Sequence, residues 1–210
     1  MSPYLGLVLA YLAGSIPAAY IAGKLTRGID LRQHGSGNLG ATNVYRVLGA
    51  PVAAAVLAFD AAKGAVPVLV FPRLFVPSPA DSHATTLWAI AFGIAAIIGH
   101  VRPIFLLWKG GGKGVATASG VFGALAPAAI AIAFVVWLAV LVVSGYMSLA
   151  SLAGAAVLPV AVGVLGGVRS PLFVVSVVVA AFVFWTHRSN IGRLRRGEEP
   201  RFGRKPPPPP

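Results

Sequence analysis

Residues Pro3–Gly23, PYLGLVLAYLAGSIPAAYIAG, contain no charged side chain. About 20 apolar residues suffice for a helix to cross a bilayer, and no basic segment precedes the run, so it reads as a span and not as a cleavable signal. Lys24, Arg27, Arg32 and Arg46 follow. By the positive-inside rule they place this loop in the cytoplasm and the N-terminus outside. Working outward, residues 50–72 and 84–101 read as two more spans, joined by an outer loop holding only Arg73 and Asp81. Arg102, Lys109 and Lys113 mark the next cytoplasmic loop, and the tail from Arg188 to Lys205 carries seven Lys or Arg. Between Lys113 and His187 the chain must therefore cross an even number of times, and breaks at Ala126-Pro127, Ser144–Ser148 and Gly166–Pro171 divide it into four segments. The expectation is an all-α polytopic membrane protein with about seven transmembrane helices and its motif loops in the cytoplasm. The weakest segment is 114–126, whose 13 residues rise only about 20 Å as a helix.

Composition agrees with this reading. Of the 210 residues, 57% are apolar and 10% charged, with a mean hydropathy of +0.83. Soluble domains carry about 25% charged residues, so an ordinary soluble enzyme is excluded, and residues 1–205 are expected to form one membrane-embedded domain. Pro206–Pro210 reads as a disordered, polyproline-prone tail. The net charge of +12 belongs to cytoplasmic loops facing anionic lipid, with no nucleic-acid partner implied. There is no cysteine, which removes disulfides, thiolate metal sites and a cysteine nucleophile.

Three polar islands interrupt this apolar chain, all on the expected cytoplasmic face. The first is Gly35-Ser36-Gly37-Asn38-Leu39-Gly40-Ala41-Thr42-Asn43-Val44-Tyr45-Arg46. Its glycines let successive backbone N–H groups form an anion-binding nest, with hydroxyl and amide donors and Arg46 beside them. The second, Lys109-Gly110-Gly111-Gly112-Lys113-Gly114-Val115-Ala116-Thr117, leads into the short helix, whose N-terminus attracts phosphate. It lacks the spacing of a Walker loop, because Leu107 and Gly114 stand where that pattern needs Gly and Ser or Thr. The third runs from His187 through Arg188, Asn190 and Arg193 to Glu199. If helical, His187, Asn190 and Arg193 share a face. Glycine-lined donors, two cations and an imidazole suit phosphate-bearing substrates. No metal-ligand cluster, paired carboxylates or Gly-x-Ser-x-Gly elbow is present, so neither a metal nor another cofactor is expected.

These islands resemble the three signature loops of the bacterial acyl-phosphate:glycerol-3-phosphate acyltransferases, integral membrane enzymes of phospholipid synthesis. Gly37-Asn38 with Gly40–Val44 and Arg46 is similar to the first motif, Gly111–Thr117 to the second, and His187-Arg188, Asn190-Ile191, Arg193-Leu194, Gly197 and Glu199 to the third. Two positions depart from the family pattern: Gly110 replaces a usual Lys, and Leu39 a frequent Pro. The resemblance implies transfer of a fatty acyl group from acyl phosphate to the 1-hydroxyl of glycerol 3-phosphate, giving lysophosphatidic acid and phosphate. It implies catalytic roles for Ser36, Arg46, Lys113 and His187. It assigns substrate or phosphate binding to Gly37, Asn38, Gly40, Ala41, Thr42, Asn43, Gly111, Gly112, Gly114, Thr117, Ser144 and Asn190, while Glu199 is structural. The expected location is the inner or cytoplasmic membrane, and the soluble enzyme that makes acyl phosphate is an expected partner. No His is followed five residues later by Asp, which argues against acyltransferases that use that dyad with acyl-CoA or acyl carrier protein.

The rival class is a small transporter or channel for a phosphorylated solute, since ionisable residues within spans are functional by default. Asp60 and Lys63 are such residues. A transporter concentrates polar groups at the midplane, whereas here they gather at one surface. The pair is expected to neutralise itself at i, i+3.

Overall fold

The computed structural model describes residues 2–77 and 82–203. Asp81 and the Pro206–Pro210 tail lie outside them. The described residues are helical, with short 3-10 turns and no strand. Two compact units, Met1–Leu125 and Ala126–Pro210, are taken in turn.

In the first unit, α1 (Pro3–Ser15) starts with Pro at its first turn, where a missing N–H costs nothing, and stops before Pro17. The chain resumes as α2 (Ala18–Arg27), closed by Gly28 in the left-handed region. A 3-10 turn at Leu31–Gln33 leads to α3 (Ala41–Leu48). The long α4 (Ala50–Phe75), α5 (Ser82–Val101) and a second 3-10 turn at Ile104–Leu106 precede α6 (Val115–Leu125). α1 packs on α5, and α4 on both α5 and α6. Apolar lipid gives little hydrophobic drive between helices, so small residues must let backbones approach. A side chain at Gly14 would overlap the Ala96 carbonyl across the α1–α5 seam, and one at Gly120 the Ala61 carbonyl across α4–α6. An aromatic cluster fills the unit, with Phe92 fully buried and its ring 5.8 Å from that of Phe71. Near the first polar island, Leu31, Leu39, Val44, Leu48 and Val56 form a second cluster that seats α3.

In the second unit, α7 (Pro127–Ser144) and α8 (Met147–Gly166) form a hairpin turned by Gly145, and α9 (Pro171–Thr186) packs back on α8. The short α10 (Arg188–Arg196) leaves α9 at a 57° bend. Large apolar side chains stand exposed along α7, including Phe134, Val135, Val142 and Val143. Only a lipid surface tolerates such a helix, apolar on every side.

By length and composition, five helical stretches among the described residues can cross a bilayer: Pro3–Arg27, Ala50–Phe75, His83–Leu106, Pro127–Ser144 and Met147–Gly166. The α9–α10 pair is a sixth if its two bent helices form one span. The count of seven reached from charge parity needs α6, whose 11 residues rise only about 16 Å, half of a hydrocarbon core of roughly 30 Å.

Candidate active site

The first island folds as a loop clamped on one buried amide. Asn43, 1% exposed at the start of α3, accepts the Ser36 N–H on Oδ1 at 2.8 Å. Its Nδ2 donates to the carbonyls of His34 at 3.0 Å and Leu31 at 3.4 Å. An Asn is suited to this, having donors and an acceptor on one rigid group. Asn43 thus shapes the loop, and Ser36 is held exposed at its outer edge. Gly37 turns with a φ of +70°, and a side chain there would also meet the Arg32 carbonyl. Gly40 caps α3, Ala41 and Thr42 form its first turn, and Arg46 lies exposed in its last.

Arg32 organises the region, although in the sequence it registers only as a topological charge. Its Nη2 reaches Asp30 Oδ2 at 2.6 Å, its Nε both carboxylate oxygens, and its guanidinium lies 5.3 Å from the Tyr20 ring. The hydrogen bonds from Arg32 hold the Asp30 carboxyl below its ordinary range. Arg32 Nη1 donates onward to the Lys109 carbonyl at 3.4 Å, and Gly110 packs against its side chain. The Asp-x-Arg spacing was the available signal, since it permits this bidentate closure.

Asn38 supplies the other link, its Nδ2 donating to the Gly111 carbonyl at 3.2 Å. The two glycine loops, distant in sequence, are stitched together by two side chains. Gly111 lies against the Val101 carbonyl and Gly112 against the His100 ring, so neither position has room for a side chain. Gly114 turns the chain at a φ of +84° into α6. Lys113 is half-buried between these glycines. Thr117 sits apart from the loop, fully buried in the α4–α6 seam, with Oγ1 lacking a hydrogen-bond partner.

In the second unit His187 occupies the bend between α9 and α10, 3% exposed, with Nδ1 2.8 Å from the Val183 carbonyl. A carbonyl only accepts, so Nδ1 carries the proton and Nε2 is the basic nitrogen of the neutral ring. Asn190, on the first turn of α10, donates through Nδ2 to Glu199 Oε1 at 2.6 Å, and Arg193 Nε donates to Oε2 at 2.7 Å. Burial raises the Glu199 carboxyl, but Asn190, Ser148 and Arg193 outweigh it and hold it below the ordinary range. Glu199 thus fastens the tail, and Asn190 and Arg193 share the face expected of them. Phe202 N–H donates to the Gly145 carbonyl at 2.7 Å, returning the tail to the α7–α8 turn. Ser144 ends α7: its hydroxyl donates to Val140 O at 2.6 Å and accepts the Tyr146 N–H at 3.1 Å.

These units define a polytopic membrane protein with two stitched glycine loops and a clamped histidine bend. The family model described as glycerol-3-phosphate acyltransferase matches residues 4–197. A glycerol-3-phosphate acyltransferase of Geobacter metallireducens is 50% identical over 193 residues, 92% of this chain and 94% of that one. Another, from Geotalea daltonii, is 43% identical over 198 residues, 94% and 96% of the two chains. The crystal structure of PlsY, an integral membrane glycerol 3-phosphate acyltransferase, in its glycerol 3-phosphate form is similar at a TM-score of 0.85 and 38% identity, over 96% of both chains. Its lysophosphatidic acid form is similar at 0.81 and 37%, over 96% and 95%. This chain belongs to the glycerol-3-phosphate acyltransferase family.

Proposed function

We propose that this chain acylates the 1-hydroxyl of glycerol 3-phosphate, giving lysophosphatidic acid, with acyl phosphate as donor. The observation that supports it best is the stitching of the two glycine loops by Asn38 and Arg32, which brings backbone N–H groups and Lys113 into one polar region. Acyl phosphate is a mixed anhydride with a good leaving group, so the protein needs no covalent intermediate. The glycerol oxygen attacks the acyl carbon, the bond from that carbon to the bridging oxygen breaks, and inorganic phosphate leaves with that oxygen. The hydroxyl proton passes to a base, either His187 Nε2 or a phosphate oxygen of a substrate.

In this reading Arg46, Lys113 and the amides of Gly40, Gly111 and Gly114 neutralise phosphate and the charge growing in the transition state, while Gly37 and Gly112 shape the two loops, their N–H groups donating to the His34 and His100 carbonyls. The N-terminus of α6 adds its dipole. Ser36, Asn38, Thr42 and Asn190 orient the substrates. Asn43 and Ser144 contribute through the loop and helix end that they hold, and Thr117 through its packing in the α4–α6 seam. The protein works in the cytoplasmic membrane with these loops facing the cytoplasm, residues 1–205 acting as one domain, and receives donor from the soluble enzyme that makes acyl phosphate. The transporter reading has lost its main support, because Asp60 and Lys63 pair with each other at 2.7 Å.

Purified protein in detergent, given acyl phosphate and glycerol 3-phosphate, is expected to release phosphate and form lysophosphatidic acid, with or without EDTA. Equal turnover with acyl-CoA, or dependence on a divalent ion, would contradict the proposed chemistry.

A further inference from the structure

Asp60 and Lys63 do more than neutralise each other. They are 2% and 7% exposed, on α4. Lys63 Nζ contacts Asp60 Oδ1 at 2.7 Å and also donates to the Ile16 carbonyl at 2.9 Å, at the break that Pro17 forces between α1 and α2. The same Oδ1 faces His100 Nδ1 at 3.5 Å, on the last turn of α5. His100 is 6% exposed, and its opposite edge, Nε2, faces Gly112 so closely that any side chain on Gly112 would overlap the ring. Backbone contacts double the link, since Gly112 N–H donates to the His100 carbonyl at 3.3 Å. Asp60, Lys63, His100, Gly111, Gly112 and Leu39 wall one small cavity.

Consecutive glycines are costly to hold in one conformation, and a loop that must present N–H groups to phosphate needs support from outside itself. Buried ionisable groups are in turn expensive, and neutralisation alone would require only two of them. We propose that Asp60 and His100 are positioning residues: Lys63 and Asp60 fix the His100 ring, and the ring is the platform on which the Gly111-Gly112-Lys113 loop takes its phosphate-binding shape. This rests on the reading above that the loop binds substrate phosphate.

The test uses full-length protein in detergent, assayed by phosphate release with each substrate varied in turn. His100→Phe keeps a ring beneath Gly112 and removes the ring nitrogen that faces Asp60, while His100→Asn keeps a polar group near the Nδ1 position and removes the platform. Each is expected to raise KM for the substrate whose KM is raised by Lys113→Ala, by roughly 2- to 12-fold, the weight of one hydrogen bond. Should the histidine variants fold poorly, Asp60→Leu with Lys63→Met replaces the charges by apolar groups, a change that buried pairs often tolerate. A merely structural pair then leaves KM at the wild-type value, whereas a positioning pair raises it as His100→Phe does. Wild-type KM and kcat in the His100 variants, or in the double variant, overturn the proposal if Lys113→Ala changes either constant. If Lys113→Ala changes neither KM nor kcat, the phosphate-binding reading of the loop falls, and the proposal falls with it.

Discussion

The Asn38 side chain donates to the Gly111 carbonyl at 3.2 Å, joining two loops that are 73 positions apart in the chain. Neither loop is a regular element with a ladder of its own, so each long-range bond between them sets where the backbone N–H groups point. Asn38→Ala should lower kcat/KM by roughly 2- to 12-fold, the weight of one net hydrogen bond. Asn38→Asp should cost more, because it sets an acceptor against a carbonyl and adds negative charge where phosphate is to bind. Steady-state kinetics with each substrate varied in turn checks both, and equal losses would contradict the charge argument.

Arg46 and Lys113 are expected to act as phosphate ligands. A charge-assisted hydrogen bond contributes roughly 1.5 to 3 kcal/mol, or about 10- to 150-fold. Lys113→Ala and Arg46→Ala should each lose at least tenfold, by that same estimate. The loss appears in KM where the contact exists in the bound ground state, and in kcat where it forms only in the transition state.

His187→Asn tests the base. General-base catalysis is worth about 10² to 10⁴ in rate, so a large fall in kcat is expected. If His187 Nε2 takes the proton, the acidic limb of the pH–rate profile disappears in the variant. If a substrate phosphate takes it, activity falls through lost positioning but the limb persists. Near-normal activity would remove His187 from both roles.

Glu199→Gln should loosen the tail in a pH-dependent way. The folded protein holds the Glu199 carboxyl below its ordinary value, so the unfolded chain takes up its proton first as pH falls. The stabilisation is fully present above the unfolded value of about 4.3 and is lost as pH drops through the lower folded value. Thermal unfolding in detergent should show a lower Tm for the variant at pH 7, and the gap to wild type should close on acidification below that value. A gap that stays constant with pH would show that the ionised carboxylate is not what fastens Asn190 and Arg193.

Orientation can be read with single cysteines, the chain having none of its own. Ser2→Cys, Ala126→Cys and Arg169→Cys should react with an impermeant thiol reagent from outside intact cells, and Ser189→Cys should not. The Ala126 position tests whether the short α6 completes a crossing; protection at both 126 and 169 with labelling at 2 would make α6 re-entrant, because the α7–α8 hairpin returns the chain to the side it started from.

The sequence by itself determined the solvent and the class. A charge fraction of 10% and uncharged runs the length of a bilayer leave an α-helical membrane protein as the answer, because backbone polar groups in lipid must be satisfied within each segment. The three islands were legible for a related reason: in so apolar a chain, clustered glycines, amides and cations have few roles besides binding. Asp60 and Lys63 could be paired from their spacing alone, since i, i+3 residues share a helix face. The tertiary structure decided what local spacing does not encode. Only packing showed that Asn43 spends its amide within its own loop, that Arg32 and Asn38 join the loops, and that Gly112 is small because His100 lies against it. It also showed that α6 has only 11 residues, and that Asn190 is turned onto Glu199. The contacts between the loops join groups far apart in the chain, and the shorter ones depend on turns that bring their groups together; no window of sequence carries the distance between them.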